Sequence, residues 1–225
     1  ADMGFAAPSE DWLDVDPFWR NLEGDVDVVA YDIPFSPSCR PFHGTEMSCW
    51  ASHDKLAPAS SFPADLVDEA RHRFGQWTVS YEGYGPGRIG ELLALRREML
   101  DNTHRSTELA AWLLERPWQL GIVCLSAPHR GGHRLWDRTS IKGAVPDAEG
   151  AEFDGALRDL YVACDQAIGR LAAAHPDASV LVFSTHGMMA NTSRVDFLDE
   201  MLARVLAGDE HGRRPVSLSR RIGEA

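Results

Sequence analysis

Long apolar runs are absent from this sequence, since none approaches the roughly 20 consecutive residues that a helix needs to cross a bilayer. The N-terminus also lacks the basic and then apolar pattern of a signal peptide. Cysteine is scarce, and its 4 residues show no CxxC spacing. These absences predict a cytoplasmic protein without a membrane partner.

Basic residues are also few, and they cluster only near the C-terminus, against a formal net charge of −12. A nucleic-acid groove needs clustered Lys and Arg, so we expect no partner of that kind. The 225 residues, 44% of them hydrophobic, are enough for a domain with a real core. We expect one α/β domain over 1–225, with a connecting segment at 1–24 and a loose tail at 207–225.

Several catalytic signatures are missing as well. The sequence has no G-x-S-x-G nucleophile elbow, no P-loop and no G-x-G-x-x-G that opens a helix after a strand. Alternating glycines at 83, 85 and 87 lack such a context and are typical of a flexible turn. Any chemistry must therefore come from another kind of site.

Apolar runs alternate with amphipathic segments along the chain. The pattern predicts strands at 26–33, 120–125 and 179–184, and helices at 63–74, 89–115, 153–174 and 195–206. Strands that alternate with helices indicate βαβ units and a mostly parallel sheet. A long loop predicted at 34–63 is either functional or contains an element that the pattern does not reveal.

Two histidines follow the second predicted strand, in the phrase Ala-Pro-His-Arg-Gly-Gly-His at 127–133. His129 and His133 flank two glycines, which favours a loop in which both rings converge on one ion. Neutral imidazole is the commonest metal ligand. The alternative is a pair of surface loop histidines. Asp137 follows at the same interval, either as a third ligand or as an acceptor for an imidazole N–H.

A second phrase, Ser-Thr-His-Gly-Met at 184–188, follows the third predicted strand. Ligands bind at the carboxyl ends of strands in an open α/β sheet, so His186 is predicted to share a metal or phosphate site with the first pair. Asp32 ends the first strand and faces the same crevice, and His53 and Asp54 lie in the long loop. The alternative is a structural His186 with solvated loop charges.

The Ser-Thr-His-Gly-Met phrase resembles the Ser-Asp-His-Gly-Met phrase of the type I phosphodiesterase/nucleotide pyrophosphatase family, in the alkaline phosphatase superfamily. His-x-x-Gly-His at 129–133 resembles that family's Asp-x-x-Gly-His metal motif, and the loop from Asp32 to Asp54 is similar to a bacterial branch. The resemblance covers roughly residues 17–206. It implies a three-layer α/β/α sandwich with a mostly parallel sheet, alkaline phosphatase-like and incomplete in this chain.

The resemblance also implies chemistry. Members of the superfamily hold a phosphate or sulfate ester on a pair of metal ions, often zinc, while a Thr or Ser hydroxyl attacks. Carried onto this sequence, His129 and His133 bind one metal and His186 binds the other. Thr185 stands where the family has a metal-binding Asp, and His129 replaces another Asp. Fewer anionic ligands favour an imidazole-tolerant ion, or no ion.

The family's N-terminal strand, with a metal-binding Asp and the nucleophile, has no counterpart here, so the catalytic residue is unassigned. The first hypothesis is a metal-dependent, phosphodiesterase-like or sulfatase-like hydrolase of small phosphate or sulfate esters, with this chain as its C-terminal metal-binding part. The second is a non-catalytic relative that binds an anionic ligand or a protein partner. The third is an unrelated doubly wound α/β protein with structural histidines.

Overall fold

Four strands form one sheet in the order β3-β2-β1-β4 in the computed structural model, which describes residues 13–22, 25–51, 57–77, 79, 86–190 and 197–207. The strands are Val28–Tyr31 (β1), Gly44–Ser48 (β2), Ser60–Phe62 (β3) and Leu120–Val123 (β4). Strand β1 pairs in parallel with β2 and β4, whereas β2 and β3 are antiparallel. The predicted α/β fold with a mostly parallel sheet is confirmed.

Helices account for most of the remaining described residues. The α-helices are Leu66–Phe74 (α1), Ile89–Leu113 (α2), Ala127–Arg134 (α3), Asp147–Asp154 (α4), Ala156–Ala174 (α5) and Leu198–Ala207 (α6), and short 3-10 helices span Phe18–Arg20 and Arg138–Ser140. Gly75 directly follows α1, and its φ of 65° is one that a glycine adopts without steric cost. None of the described helices is both long and apolar enough to span a membrane.

Strand β1 is buried on both faces because packed side chains cover each face, while β2 and β4 cover its two edges. Val29 and Tyr31 pack with α1 and with the C-terminal half of α2 in one apolar cluster. Val28 and Ala30 pack with Trp19 in another cluster. A strand that is covered on both faces reads as a continuous apolar run, which is why the sequence pattern identified it.

A further apolar cluster joins α2, α3, α4 and α5. Leu92, Phe153 and Leu160 each contribute a side chain that is at most 1% exposed. Helix α3 approaches α5 closely at Gly131, since a Cβ at that position would overlap Leu160 Cδ1. This packing fixes α3, and the histidines that it carries, beside the end of β4.

The segment 34–63, predicted as a loop, contains strands β2 and β3. Their sequences are short and polar, so no apolar run marks them. Glu46 of β2 is a buried polar residue, with only 1% of its surface exposed. Its carboxylate accepts hydrogen bonds from Trp19 Nε1 at 3.1 Å and from Arg20 Nε at 2.7 Å. These bonds tie part of the predicted connecting segment to the sheet.

The apolar run at 179–184, predicted as the third strand, joins no sheet in the described part of the chain. The side chains of Val180, Leu181, Val182 and Phe183 are between 57% and 82% exposed. A strand forms only where its backbone N–H and C=O groups pair with a neighbour, and apolar composition alone does not supply that neighbour. The prediction of this strand is therefore wrong for the structure described.

Candidate metal centre

The carboxyl ends of β1 and β4 lie side by side, since Tyr31 is in register with Val123. The residues that follow them, Asp32 and Cys124, are near enough for the carboxylate charge to act on the thiol. Burial, and then the negative charge of Asp32, raise the pKa of Cys124 to about 12. Helix α3 begins at Ala127, so its first turn lies at this edge of the sheet.

His129 and His133 lie on helix α3 and not in a loop, so the predicted loop is wrong. The two glycines between them do not form a turn; they allow α3 to pack closely against neighbouring side chains. Gly131 and Gly132 are both buried, and a Cβ at Gly131 would overlap a side chain of α5. Because residues four apart share one face of a helix, the two imidazoles project from the same side of α3.

Three imidazoles form a continuous series of contacts through their ring nitrogens, and we call His129, His133 and His186 the imidazole cluster. His133 Nε2 lies 3.2 Å from His129 Nε2, and His129 Nδ1 lies 3.2 Å from His186 Nε2. His186 Nδ1 lies 3.0 Å from Thr185 Oγ1. The structure thus brings the three predicted ligands together, and their role as ligands stays a prediction.

The ring nitrogens of the imidazole cluster face one another, and the number of ions at the cluster stays a prediction. His129 and His133 turn their Nε2 atoms toward each other, whereas His129 turns its other nitrogen toward His186. Among the residues that the structure describes, no group of three or more His, Cys, Asp or Glu side chains is placed to hold a metal ion. Two imidazoles on one face of α3 are donors that zinc accepts, and their role in holding an ion stays a prediction.

Arg130 lies between the two histidines, and the sequence pattern did not single it out. Its side chain is buried at 1% exposure, and its Nη2 donates to Glu98 Oε1 of α2 at 3.3 Å. A buried charge is costly unless it is paired, so this ion pair fixes α3 against α2. Glu98 is 32 residues away in sequence, and no local signal could have predicted this pairing.

Two carboxylates predicted as possible site residues have structural partners. Asp32 is buried and accepts the backbone N–H groups of Trp50 at 2.8 Å and Ala51 at 2.9 Å, which orders the chain after β2. Asp137 accepts the backbone N–H of Thr139 at 2.8 Å and caps the 3-10 helix there. Their role as ligands stays a prediction.

Two further residues predicted as possible site residues, His53 and Asp54, lie outside the described residues. Their place relative to the imidazole cluster therefore stays a prediction of the sequence. The described residues of the candidate centre are the imidazole cluster and Thr185.

The fold and the site together define an α/β protein whose parallel strands end beside a group of imidazoles. Residues 5–218 match the family model described as type I phosphodiesterase / nucleotide pyrophosphatase. The match covers most of the chain, and the chain belongs to this family, which is alkaline phosphatase-like. The predicted resemblance is confirmed, and with it a phosphoester hydrolase kind in a family that is generally metal-dependent.

Comparison with individual proteins adds nothing to this family assignment. Neither the curated proteins nor the solved structures gave a significant match to the chain. The match to the family model alone therefore shows the family of this chain.

Proposed function

We propose that this chain is the C-terminal, metal-binding part of a hydrolase that acts on small phosphate esters, and that zinc is its metal. The observation that carries the proposal is the 3.2 Å separation of two imidazole Nε2 atoms on one face of α3, in a member of a generally metal-dependent family. Zinc accepts imidazole ligands readily, whereas hard cations such as magnesium prefer carboxylates.

In this proposal His129 and His133 hold the ion, and the ion pair between Arg130 and Glu98 keeps their helix in place. A zinc ion bound there supplies positive charge that neutralises the oxygens of a phosphate ester. His133 is exposed and His129 is half-buried, so a small ester can reach the pair from solvent. The cluster thus lies where both the ion and the ester have access.

The attacking group is left unassigned. Thr45 is buried at 8% exposure within β2, which removes it from solvent and from an ester at the cluster. The Ser184 hydroxyl donates to the backbone carbonyl of His186. Neither hydroxyl has the activated setting of a nucleophile, in which a base accepts its proton.

A second candidate function is favoured by Thr185. Its hydroxyl stands where the resemblance places a metal-binding Asp, and it contacts His186 Nδ1 at 3.0 Å. A neutral group in place of a carboxylate weakens the binding of a second ion. Under this candidate the chain binds an anionic ligand at the imidazole cluster without hydrolysing it.

Zinc content and turnover separate the two candidates. The full-length hydrolase to which the proposal assigns this chain is purified, loaded with zinc, dialysed, and assayed for bound metal and for hydrolysis of an aryl phosphodiester. His133→Ala is compared with His72→Ala, which removes an exposed histidine from α1. The hydrolase proposal expects stable zinc binding in the wild type and in His72→Ala, loss of zinc in His133→Ala, and turnover that a chelator abolishes.

Each other outcome has a definite meaning. Zinc binding with retention of an aryl phosphate and no turnover favours the second candidate. A protein that neither binds zinc nor releases the aryl product contradicts the proposed hydrolase. A His133→Ala variant with wild-type zinc content shows that the ion is held elsewhere.

A further inference from the structure

We infer that strand β4 and the apolar run at 179–184 are the two sides of a docking surface for one further strand, which pairs with both of them. The strand that we assign to this surface is an extended apolar segment of the same polypeptide, outside residues 1–225. This assignment rests on the proposed function, because that proposal makes the chain the C-terminal part of a longer hydrolase. We call β4 and residues 179–184 the strand-docking surface.

The apolar run passes along β4 from one end of that strand to the other. At the amino end, Ser179 and Gln119 line the same cavity, whose volume is about 690 Å³. At the carboxyl end, His186 contacts His129 of α3, the helix that follows β4. The two segments therefore run in the same direction, although no backbone pairing joins them in the described part of the chain.

Strand β4 has one edge that faces away from its partner β1. The N–H groups of Leu120 and Cys124 donate to backbone carbonyls in and just before β1, at 3.2 Å and 3.1 Å. Successive residues of a strand direct their backbone groups to opposite edges, so the N–H and C=O groups of Gly121 and Val123 face away from β1. These backbone groups can bind a further strand without any change in the pairing of β1.

The sequence of the strand-docking surface lacks the features that keep a strand edge from pairing. Natural proteins protect free edges with charged residues, with proline or with bulges. Residues 120–123 and 179–184 contain no charged residue and no proline. The four central side chains of the run, Val180 to Phe183, are apolar and between 57% and 82% exposed. An apolar run of this kind is typical of a strand that lies inside a sheet and is covered on both faces.

An extended segment satisfies both sides of this surface at once. Its backbone N–H and C=O groups are available along both of its edges, whereas a helix binds these groups internally. Because both sides are apolar and uncharged, the segment that fits is an apolar strand of about 5 residues. A second copy that paired with β4 alone would leave the run exposed, which is why we assign the strand to the same polypeptide.

Amide hydrogen exchange in the full-length protein, resolved to single residues by fragmentation mass spectrometry, tests the inference. We expect the amides of Gly121 and Val123, and alternate amides within 180–183, to exchange at least about 100-fold more slowly than those of an unstructured peptide. The amides of Leu120 and Cys124 are the internal control, because β1 protects them whether or not a further strand binds.

A matched pair of substitutions tests whether the run is buried in the full-length protein. Val182 and Val162 are both exposed in this chain, at 64% and 47%. Val182→Lys should increase the exchange rates at Gly121 and Val123 at least about 10-fold, because it places a charge inside the enlarged sheet. Val162→Lys on α5 should leave these rates unchanged. Unfolding of the protein by Val182→Lys and not by Val162→Lys also supports burial of the run.

Photo-cross-linking identifies the segment that docks. A photoreactive amino acid in place of Leu181 should form a cross-link within one molecule, to an apolar segment outside residues 1–225. A cross-link between two molecules would show that a second copy covers the run, and it would overturn the assignment.

Rapid exchange at Gly121 and Val123 in the full-length protein, with slow exchange at Leu120 and Cys124, overturns the inference. Equal exchange rates in Val182→Lys and Val162→Lys contradict it as well. None of these measurements depends on zinc or on turnover. Protected amides in a protein that neither binds zinc nor hydrolyses the ester therefore contradict the proposed chemistry alone, whereas rapid exchange in an active zinc enzyme contradicts the docked strand alone.

Discussion

Met188 lies directly on Gly132: a Cβ at position 132 would be 2.9 Å from Met188 Cε and 3.1 Å from Met188 Cγ. This contact joins the segment that carries His186 to the helix that carries His129. Met188 follows His186 by two residues, so its position restrains the place of that imidazole. The missing side chain of Gly132 therefore contributes to the 3.2 Å approach of the two rings.

Gly132→Ala should weaken zinc binding about 10-fold, since the added methyl group displaces Met188 and draws His186 away from His129. Gly169→Ala in α5 is the matched control, because a Cβ there has nothing within 4 Å. The control should keep wild-type affinity and gain about 0.5–1 kcal/mol of stability from replacing a helix glycine. Calorimetry and urea unfolding measure the two quantities; unchanged affinity in Gly132→Ala would refute the role of this contact.

Gly131→Ala should destabilise the protein by about 1–3 kcal/mol, because its methyl group overlaps Leu160 Cδ1 in a packed cluster. Overpacking forces side chains out of their favoured rotamers, and this cost exceeds the gain in helix propensity. The free energy of unfolding in urea, compared with that of Gly169→Ala, measures the effect. A Gly131→Ala protein as stable as this control would show that α3 and α5 are less closely packed than described.

Glu46→Gln should be destabilising, by up to about 3–5 kcal/mol, because it removes the close partner of the buried Arg20 charge and leaves the longer contact to Asp16 Oδ1 at 3.8 Å. The side chains of Glu46 and Arg20 are 1% and 4% exposed, and their atoms approach to 2.7 Å. Arg170→Gln is the control, since it breaks an ion pair with Glu108 on the surface and should change stability little. If Glu46→Gln and Arg170→Gln lost the same free energy of unfolding in urea, breaking the buried pair would cost no more than breaking the surface pair, which contradicts the prediction.

Stability should fall as the pH rises above 9. Burial raises the pKa of Cys164 from its ordinary value of 9.0 to about 11, and burial with the charge of Asp32 raises that of Cys124 to about 12. Above pH 9 the unfolded chain releases these protons while the folded chain keeps them, so ionisation favours unfolding. The slope is at most about 1.4 kcal/mol per pH unit for each thiol.

Urea unfolding at pH 8, 9 and 10 checks this dependence. Cys164→Ala should show a shallower decline than the wild type, because one of the two thiols no longer contributes. The absolute stability of this variant also changes through packing, so the comparison concerns the slope alone. Identical slopes in the two proteins would mean that the Cys164 thiol is not shielded as its burial implies.

Thr185→Asp should tighten zinc binding about 10-fold, because it places a carboxylate where the resemblance has a metal-binding Asp. Thr185→Asn is the matched control, because asparagine has the shape of aspartate without its charge, and we expect no gain in zinc affinity from it. Calorimetric titration of both variants gives the comparison. Equal affinities in the two variants would show that a carboxylate at position 185 adds nothing to the binding of the ion.

The sequence predicted the elements whose pattern is local. Apolar runs identified β1 and β4, and helical spacing identified α1, α2 and α5, because burial of a strand or of one helix face leaves a periodic trace. The sequence did not predict β2, because this strand buries a polar side chain. Glu46 of β2 is buried with its charge paired to Arg20 and with a hydrogen bond from Trp19. The prediction also failed at α3, where glycines serve packing and not a turn.

The candidate site likewise combines features that the sequence predicted with features that only the tertiary structure produced. By itself the sequence determined the family, the spacing of His129 and His133 and their candidacy as imidazole ligands, because these are properties of residue order. Only the tertiary structure decided that α3 is a helix, that Arg130 meets Glu98, and that His186 contacts His129 across 57 residues. Such contacts depend on how distant segments pack, and the exposed run at 179–184 shows that an apolar pattern becomes a strand only where a neighbour completes its hydrogen bonds.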